Sequence, residues 1–472
     1  MIRIVLSAVA GVLIAAAPVS AAQSDYPPLP KPGAPKPYQV PASETYTLPN
    51  GMQVTLIPFG QVPKATINLR IYAGGLNEGV RTGLSGLTAQ MLREGAAGRP
   101  GSALAEEAAA MGGSIALGSG LHETTLGIAA LSERAPEAIR LLGDVALRPD
   151  LPASELERVR QSALRSLAVA RSQPQTAANA ALASAYYGAD SPYGRILPTD
   201  EQVKSYTLDD LKAFYRANFG ARRARIYVAG QFDAAAVKAA IEQVFGSWAA
   251  GPERVRLVPT PKPGPRVVLV DRPGASQSTL RLTWPAPVAG TAGDIPFEVM
   301  DSLLGGSFTS RITTNIREDK GYTYSPFSFI GDNPGEASWN FNADVTTAVT
   351  GASLKEIFGE IRRLQNETIP DAEGNGIRTW MSGTYILQNA SQGGLIGSLA
   401  ERDLLGLPAD WVTAYVPRVM AVTNAQMQQS AREQLPLDKM TLIVVGDLAK
   451  VEPQLKALPE LQDVQFERAT VF

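Results

Sequence analysis

Apolar and polar positions alternate in MQVTLIPF from Met52 and TINLRIYAG from Thr66, and again in RVVLVDRP from Arg266 and STLRLTWPA from Ser278. A period of two puts every second side chain on one face, so these stretches predict half-buried strands. Later in each half the period lengthens towards 3.6, and TLDDLKAFYRANF from Thr207 and VTNAQMQQSAREQL from Val422 predict amphipathic helices. Each is followed by a short apolar strand, Ile226–Val228 before Gly230 and Leu442–Val445 before Gly446, and then by a second amphipathic helix. Thr207 and Thr423 stand 216 residues apart, and so do Gly230 and Gly446. Equal offsets at two landmarks make the body of the chain an internal duplication. The order strands, helices, strand, helix predicts an α+β fold of two tandem homologous lobes, each a mainly antiparallel sheet covered by helices on one face.

Between the halves, residues 251–266 are too rich in proline for a regular interior element and read as a linker and the expected hinge, which sets the lobes at 42–250 and 267–472. Residues 1–22 place Arg3 before an apolar run ending in small residues, the pattern of a cleaved secretory signal peptide. A retained anchor would need a span near 20 apolar residues, and Pro18 and Ser20 cut this run short. No cysteine follows it to carry a lipid. In a bacterial cell the destination would be the periplasm, with no membrane span in the mature chain. Residues 23–41 are proline-rich and predict an extended arm or tether.

The 472 residues carry 43 Lys plus Arg against 45 Asp plus Glu, without basic runs, which argues against a nucleic-acid partner. There is one histidine, His122, and no cysteine. Zinc held by protein ligands draws on His, Cys and carboxylates, and one imidazole with carboxylates makes a poor tetrahedral set. His122 sits in an alternating stretch and reads as an ordinary strand or turn residue.

Three segments carry a resemblance. GLSGLTAQMLREG, Gly83–Gly95, has the frame of a zinc-peptidase helix, and LLGGSFTSRITTNIREDKGYTYS, Leu303–Ser325, has an SR pair followed by R-E-x-K-G-x-x-Y. With SPYGRILPTDEQVKSYTLDDLKAFYRANF from Ser191, they resemble the pitrilysin and mitochondrial-processing-peptidase superfamily of zinc metallopeptidases, in its short bacterial two-domain branch. In that family the first segment holds H-x-x-E-H, two zinc ligands and the base that polarises the attacking water. Here those positions are Gly86, Ala89 and Gln90. The resemblance places the third ligand, a glutamate, near Arg165–Ala168, where no carboxylate stands. Glu155 and Glu157 come too early and read as the first turn of that helix.

The second segment keeps its polar groups. By resemblance, Arg317 and Tyr324 are the pair that contacts the substrate backbone and the scissile carbonyl, where a guanidinium and a phenol can stabilise an oxyanion. The plainer alternative makes Arg317 a local ion-pair partner of Glu318 or Asp319 and Tyr324 an aromatic on a half-buried strand. Arg311 is expected to steady the turn into the next helix, Gly305 and Gly306 to cap the helix before it, and the segment from Ala337 to form a sheet edge able to receive a peptide strand. The resemblance thus implies a noncatalytic subunit without a cofactor of its own. It would bind an extended or unfolded peptide and lend Arg317 and Tyr324 to a zinc-bearing homologous partner in a heterodimer. The rival is a catalytically dead peptide-binding or scaffold protein of the same fold with no active partner.

Overall fold

The computed structural model describes residues Gln39–Phe472. The signal peptide and most of the proline-rich arm expected from the sequence lie outside these residues. Two six-stranded sheets form, one in each lobe. The first contains β1 (Glu44–Thr47), β2 (Gln53–Pro58), β3 (Lys64–Ile71), β4 (Ala116–Ser119), β5 (Thr124–Leu131) and β6 (Ala224–Gly230), in the order β1-β2-β6-β3-β5-β4. The second contains β7 (Arg266–Asp271), β8 (Gln277–Pro285), β9 (Phe327–Asn333), β10 (Glu336–Thr346), β11 (Thr441–Gly446) and β12 (Gln465–Arg468), in the order β12-β7-β11-β8-β10-β9. β2 with β6, β7 with β11 and β7 with β12 run parallel; all other pairs are antiparallel. From β2 and β7 onward the two halves follow one plan.

The helices repeat it. In the first lobe they are α1 (Leu84–Leu92), α2 (Ala135–Leu147), α3 (Leu156–Ser172), α4 (Pro174–Tyr187), α5 (Leu208–Asn218) and α6 (Ala234–Phe245). Their counterparts are α7 (Asp294–Asp301), α8 (Thr350–Asn366), α9 (Asp371–Gln388), α10 (Gln392–Leu405), α11 (Asn424–Gln434) and α12 (Leu448–Lys456), with further unlabelled helices between. Both α5 and α11 open with a capping box, Thr207 with Asp210 and Thr423 with Gln426, which satisfies amide groups the first turn leaves free. Among the described residues no helix is long and apolar enough to cross a membrane.

In β3 the alternation is direct: Ala65, Ile67, Leu69 and Ile71 are buried and the residues between them are half-buried. The central strands differ. Ile226 and Val228 join the core of their own lobe, whereas Tyr227 and Ala229 face the other way and pack with Ile57 against Leu395, Ile396 and Leu399 of α10. In the second lobe Leu442 and Val444 face their own helices, and Ile443 and Val445 pack with Val268 against Ala177, Ala178 and Ala181 of α4. Each lobe therefore sends one helix across to the far face of the other lobe's sheet. The alanine face of α4 lets it lie close to the β-branched side chains beneath it.

Polar contacts secure the exchange. Asp403 of α10 accepts the Tyr227 hydroxyl at 2.6 Å and pairs with Arg225 at 2.5 Å, and Gln392 accepts from Thr66 and donates to the carbonyl of Lys64. On the other side Arg281 donates to Asn179 and Gln175 donates to Asp344. His122, in the β4–β5 turn, lies 3.2 Å from Asn333 at the end of β9, so the single imidazole bridges the lobes rather than serving one strand. Burial holds its pKa below the ordinary value. The irregular segment 251–264 also lies against both halves, with Arg254 donating to the carbonyls of Asp403 and Leu404. Opening the lobes at this linker would pull two apolar helices off their sheets, which removes the physical basis for a free hinge there.

Candidate functional site

α1 starts after Gly83, whose φ of 87° is left-handed and suits glycine. The Glu78 carboxylate accepts from the amides of Gly83 and Ser85 at 2.9 and 2.8 Å, an anionic cap on the positive end of the helix that the sequence reading did not find. Leu84, Leu87, Met91 and Leu92 fix the inner face of α1 in the core. The positions of the zinc motif lie on or near the other face: Gly86 is half-buried, Ala89 is buried and Gln90 is exposed. A Cβ at Gly86 would meet nothing within 4 Å, so the helix leaves room there for a larger residue.

α3 packs beside α1. Arg165, Ser166 and Ala168 are exposed on it, and Leu167 is buried. Glu155 pairs with Arg158, and Glu157 bonds Arg160 and Gln161 in the first turn, so both are occupied as surface partners. Zinc does not fit this donor set. Glycine and alanine offer no ligand atom, a glutamine amide is a neutral oxygen, and among the described residues no three His, Cys, Asp or Glu side chains gather where they could hold a metal ion.

The second segment builds a different surface. Arg311–Thr313 is a helical turn capped by Ser310, and it continues as a wider turn over Thr314–Asp319. Gly321, at a left-handed φ of 63°, ends it: its amide returns to the Arg317 carbonyl and that of Tyr322 to Ile316. This reversal explains the lysine-glycine step in the motif, because it carries the chain back past Arg317. Thr323 then bridges Val345 of β10, and its hydroxyl donates to the Asp344 carbonyl at 2.7 Å.

Arg317 and Tyr324 are thereby brought together. The guanidinium carbon stands 4.3 Å from the Phe308 ring centre and 5.3 Å from that of Tyr324, a cation held over two aromatic faces. The Arg317 side chain is 23 % exposed, whereas Tyr324 is 81 % exposed. Arg317 does approach Glu318, at 3.3 Å through Nε, but Glu318 is largely in water and such a pair contributes little. Its terminal nitrogens and the Tyr324 hydroxyl have no hydrogen-bond partner among the described residues, so both are available as donors. Tyr324 is not on a half-buried strand; it precedes β9 and projects into solvent.

Three expectations need correction. Ala337 does not lie on an edge strand: β10 pairs on both sides, with β8 and β9, and the edge is β9. Its Phe-Ser-Phe start was a visible alternation, but only the strand order shows that it is outermost. Gly305 and Gly306 are not a left-handed cap. They lie in the last turn after α7, where a Cβ on Gly305 would come within 2.5 Å of Ser328 Oγ, so glycine is required for packing against β9. Arg311 reaches beyond its own turn to a two-pronged pair with Glu373 in the first turn of α9, at 2.8 and 2.7 Å. A larger groove of about 1060 Å³ beside α4 and residues 467–472 contains neither the α1 positions nor the Arg317 platform.

Comparison with known proteins agrees with this geometry. The family described as insulinase (peptidase family M16) matches residues 56–199, and the peptidase M16 inactive domain matches residues 205–379, together more than half of the chain. Uncharacterized zinc proteases of Mycobacterium tuberculosis and Bacillus subtilis are each 25 % identical to it, over 75 % of this chain and 80 % of the first relative, and 76 % and 88 % for the second. Among solved structures, a peptidase M16 inactive domain from Pseudomonas fluorescens is similar with a TM-score of 0.79 at 22 % identity, covering 86 % of this chain and 98 % of that one. A protease from Helicobacter pylori is similar with a TM-score of 0.79 at 18 % identity, covering 86 % and 100 %. The shared fold, the tandem lobes and the two matched domains establish that the chain belongs to peptidase family M16.

Proposed function

We propose that this protein is the noncatalytic subunit of an exported heterodimeric zinc peptidase, binding a peptide and supplying Arg317 and Tyr324 to the site of a zinc-bearing homologue. The observation that carries the reading is the division of labour between the lobes. α1 has Gly86, Ala89 and Gln90 where ligands and base would stand, while Arg317 and Tyr324 are held side by side with free donor groups. Donors of this kind stabilise a developing oxyanion only where water is excluded. Tyr324 is largely exposed to solvent on this chain, so its chemistry requires a second surface to close over it. A partner carrying zinc and the base would provide both the cover and the attacking water. The apolar amino-terminal run ending in small residues supports export, and a bacterial cell would then place the pair in the periplasm.

The test is reconstitution. The purified chain is mixed with zinc-bearing M16 homologues from the same cell envelope, and co-elution, zinc content and peptide hydrolysis are measured. The expected result is a complex whose zinc resides in the partner and whose turnover exceeds that of either chain alone. Failure to associate with any such homologue, together with peptide binding by the lone chain, would favour the scaffold reading. Stoichiometric zinc on the lone chain after dialysis would refute both.

A further inference from the structure

Where α7, α9, α10 and the helix Trp411–Ala421 meet the end of β9, they enclose a cavity of about 170 Å³ that includes neither the α1 positions nor the Arg317 platform. Glu298 of α7, Asp332 of β9 and Glu401 of α10 line it, and none of the three has an ion-pair partner among the described residues. Glu298 accepts the Tyr415 hydroxyl at 2.8 Å. Asp332 keeps one oxygen buried without a partner, and Glu401 is exposed, which marks the mouth. Ser398 of α10 lines the same cavity and is only 8 % exposed, yet its hydroxyl finds no hydrogen-bond partner among the described residues. A buried polar group left in this way calls for a ligand that can bond it.

The cations nearby are all committed elsewhere. Arg402 donates twice to Asp403, Arg418 pairs with Asp410 at 3.6 Å and stacks on Trp411, and Arg70 pairs with Glu123. Asp294 and Glu336 bring two more negative charges close by. Burial, reinforced by such like charges, holds the Glu298 carboxyl well above the ordinary range and pushes that of Asp332 up to about 7. At neutral pH these carboxyls therefore hold protons that a positive charge in the cavity would displace. That charge is not a metal ion, because the carboxylates do not gather as the ligands of one centre. Tyr385, stacked on Tyr415 at 4.2 Å, and Trp411 supply the apolar part of the wall.

We infer that this cavity binds a short aliphatic diamine, its two ammonium groups held by Glu298, Asp332 and Glu401 and its methylene chain lying against the aromatic wall. Carboxylates spread too widely for one ion suit two charges joined by a chain. Each ammonium brings three donors, enough to engage the carboxylates and the Ser398 hydroxyl, and the neighbouring ring faces favour a cation further. The 170 Å³ give room for about six groups of water size at ~30 Å³ each, which matches the heavy atoms of 1,4-diaminobutane. The inference goes beyond the peptidase reading and depends on no part of it.

The test is titration calorimetry of the full chain with 1,4-diaminobutane, butylamine, butane-1,4-diol and magnesium or zinc chloride. The diamine should bind about tenfold more tightly than butylamine, and the diol, which has the same length and no charge, should give no binding heat. Asp332→Asn and Glu401→Gln should each weaken the diamine about tenfold while the unfolding transition stays cooperative. Affinity should rise between about pH 6 and 8, with protons released on binding, as titrations in two buffers of different ionisation enthalpy would show. Equal binding of diamine and diol, undiminished affinity in both variants, or displacement of the diamine by an equal concentration of either metal ion would overturn the proposal. Any of these results would leave the subunit reading standing, since reconstitution with a zinc-bearing homologue does not involve this cavity.

Discussion

Replacing Asp332 by asparagine should raise stability at alkaline pH and leave it unchanged at acid pH. Asp332 lies at the end of β9 on a small cavity of about 170 Å³ that Glu298 and Glu401 also line. One of its oxygens is buried without a partner. The cation lining the cavity, Arg402, is engaged by Asp403 at 3.0 and 2.8 Å. Burial, reinforced by the charges of Asp294, Glu401 and Glu336, pushes the Asp332 carboxyl up to about 7. In the unfolded chain it titrates near ~3.9, so between these values the native state holds a proton that the unfolded state has released. Stability from this group is therefore full below about pH 4 and falls as pH rises through about 7. The difference corresponds to a ceiling of about 4 kcal/mol above pH 7, and because neighbouring carboxylates titrate in the same range, about half of it is expected at this residue. Asparagine has the same shape and carries no charge. Denaturant unfolding between pH 5 and 8.5 should show wild type losing about 2 kcal/mol more than Asp332→Asn across that range. Asp294 and Asp301, pushed up to about 6 by burial, contribute a slope of the same sign to both proteins. His122 opposes it, since its lowered pKa makes acidification below ~6.5 unfavourable. Parallel curves for wild type and variant, or a variant weaker at pH 8, would refute the assignment.

Three other substitutions probe the site and the frame that holds it. Arg317→Ala or Tyr324→Phe should lower turnover by the reconstituted pair about 10² to 10³-fold without preventing assembly, and unchanged rates for both would make the platform purely structural. Leu395→Ala, at a fully buried position where α10 meets the first sheet, should cost about 2 to 5 kcal/mol in denaturant unfolding; a loss below about 1 kcal/mol would mean that the exchanged helix contributes little to joining the lobes. Gly305→Ala should cost about 1 to 3 kcal/mol, because the new methyl group would press on Ser328 and disturb its contact with Asp301, and stability equal to wild type would show that the turn after α7 yields freely.

The two-lobe plan was legible because duplication repeats the same periodicities at fixed offsets, and the emptied zinc motif because its frame survives around Gly86, Ala89 and Gln90. The exchange of α4 and α10 was written less openly. Ile226–Ala229 and Leu442–Val445 are apolar at every position, the mark of strands buried on both faces, yet nothing local says which helix covers the second face. Strand order is likewise a long-range property. The sequence from Ala337 alternates as an edge strand would, and only the pairing of β8 and β9 on its two sides puts it inside the sheet. His122 fits a turn locally, and its meeting with Asn333 depends on how the lobes face each other. Glu78 was missed for a related reason: it caps α1 from five residues before Gly83, outside the spacing of ordinary capping boxes.

The two halves of the site also differ in what stability asks of them. Gly86 and Gln90 sit where a side chain touches little, so α1 is held by Leu84, Leu87, Met91 and Leu92 whether or not a metal is bound. A chain can lose zinc ligands there without losing its fold. Phe308, Tyr324, Phe327 and Phe329 present the opposite case, since each leaves a large apolar area in water and gains the folded state little. Scattered exposed apolar residues need no explanation, but here Phe308 and Tyr324 flank the Arg317 guanidinium and Phe327 and Phe329 stack on each other a few residues further along the chain. Packing thus holds α1 in place whatever stands at Gly86 and Gln90, whereas the exposed aromatics of the second lobe add little to its stability.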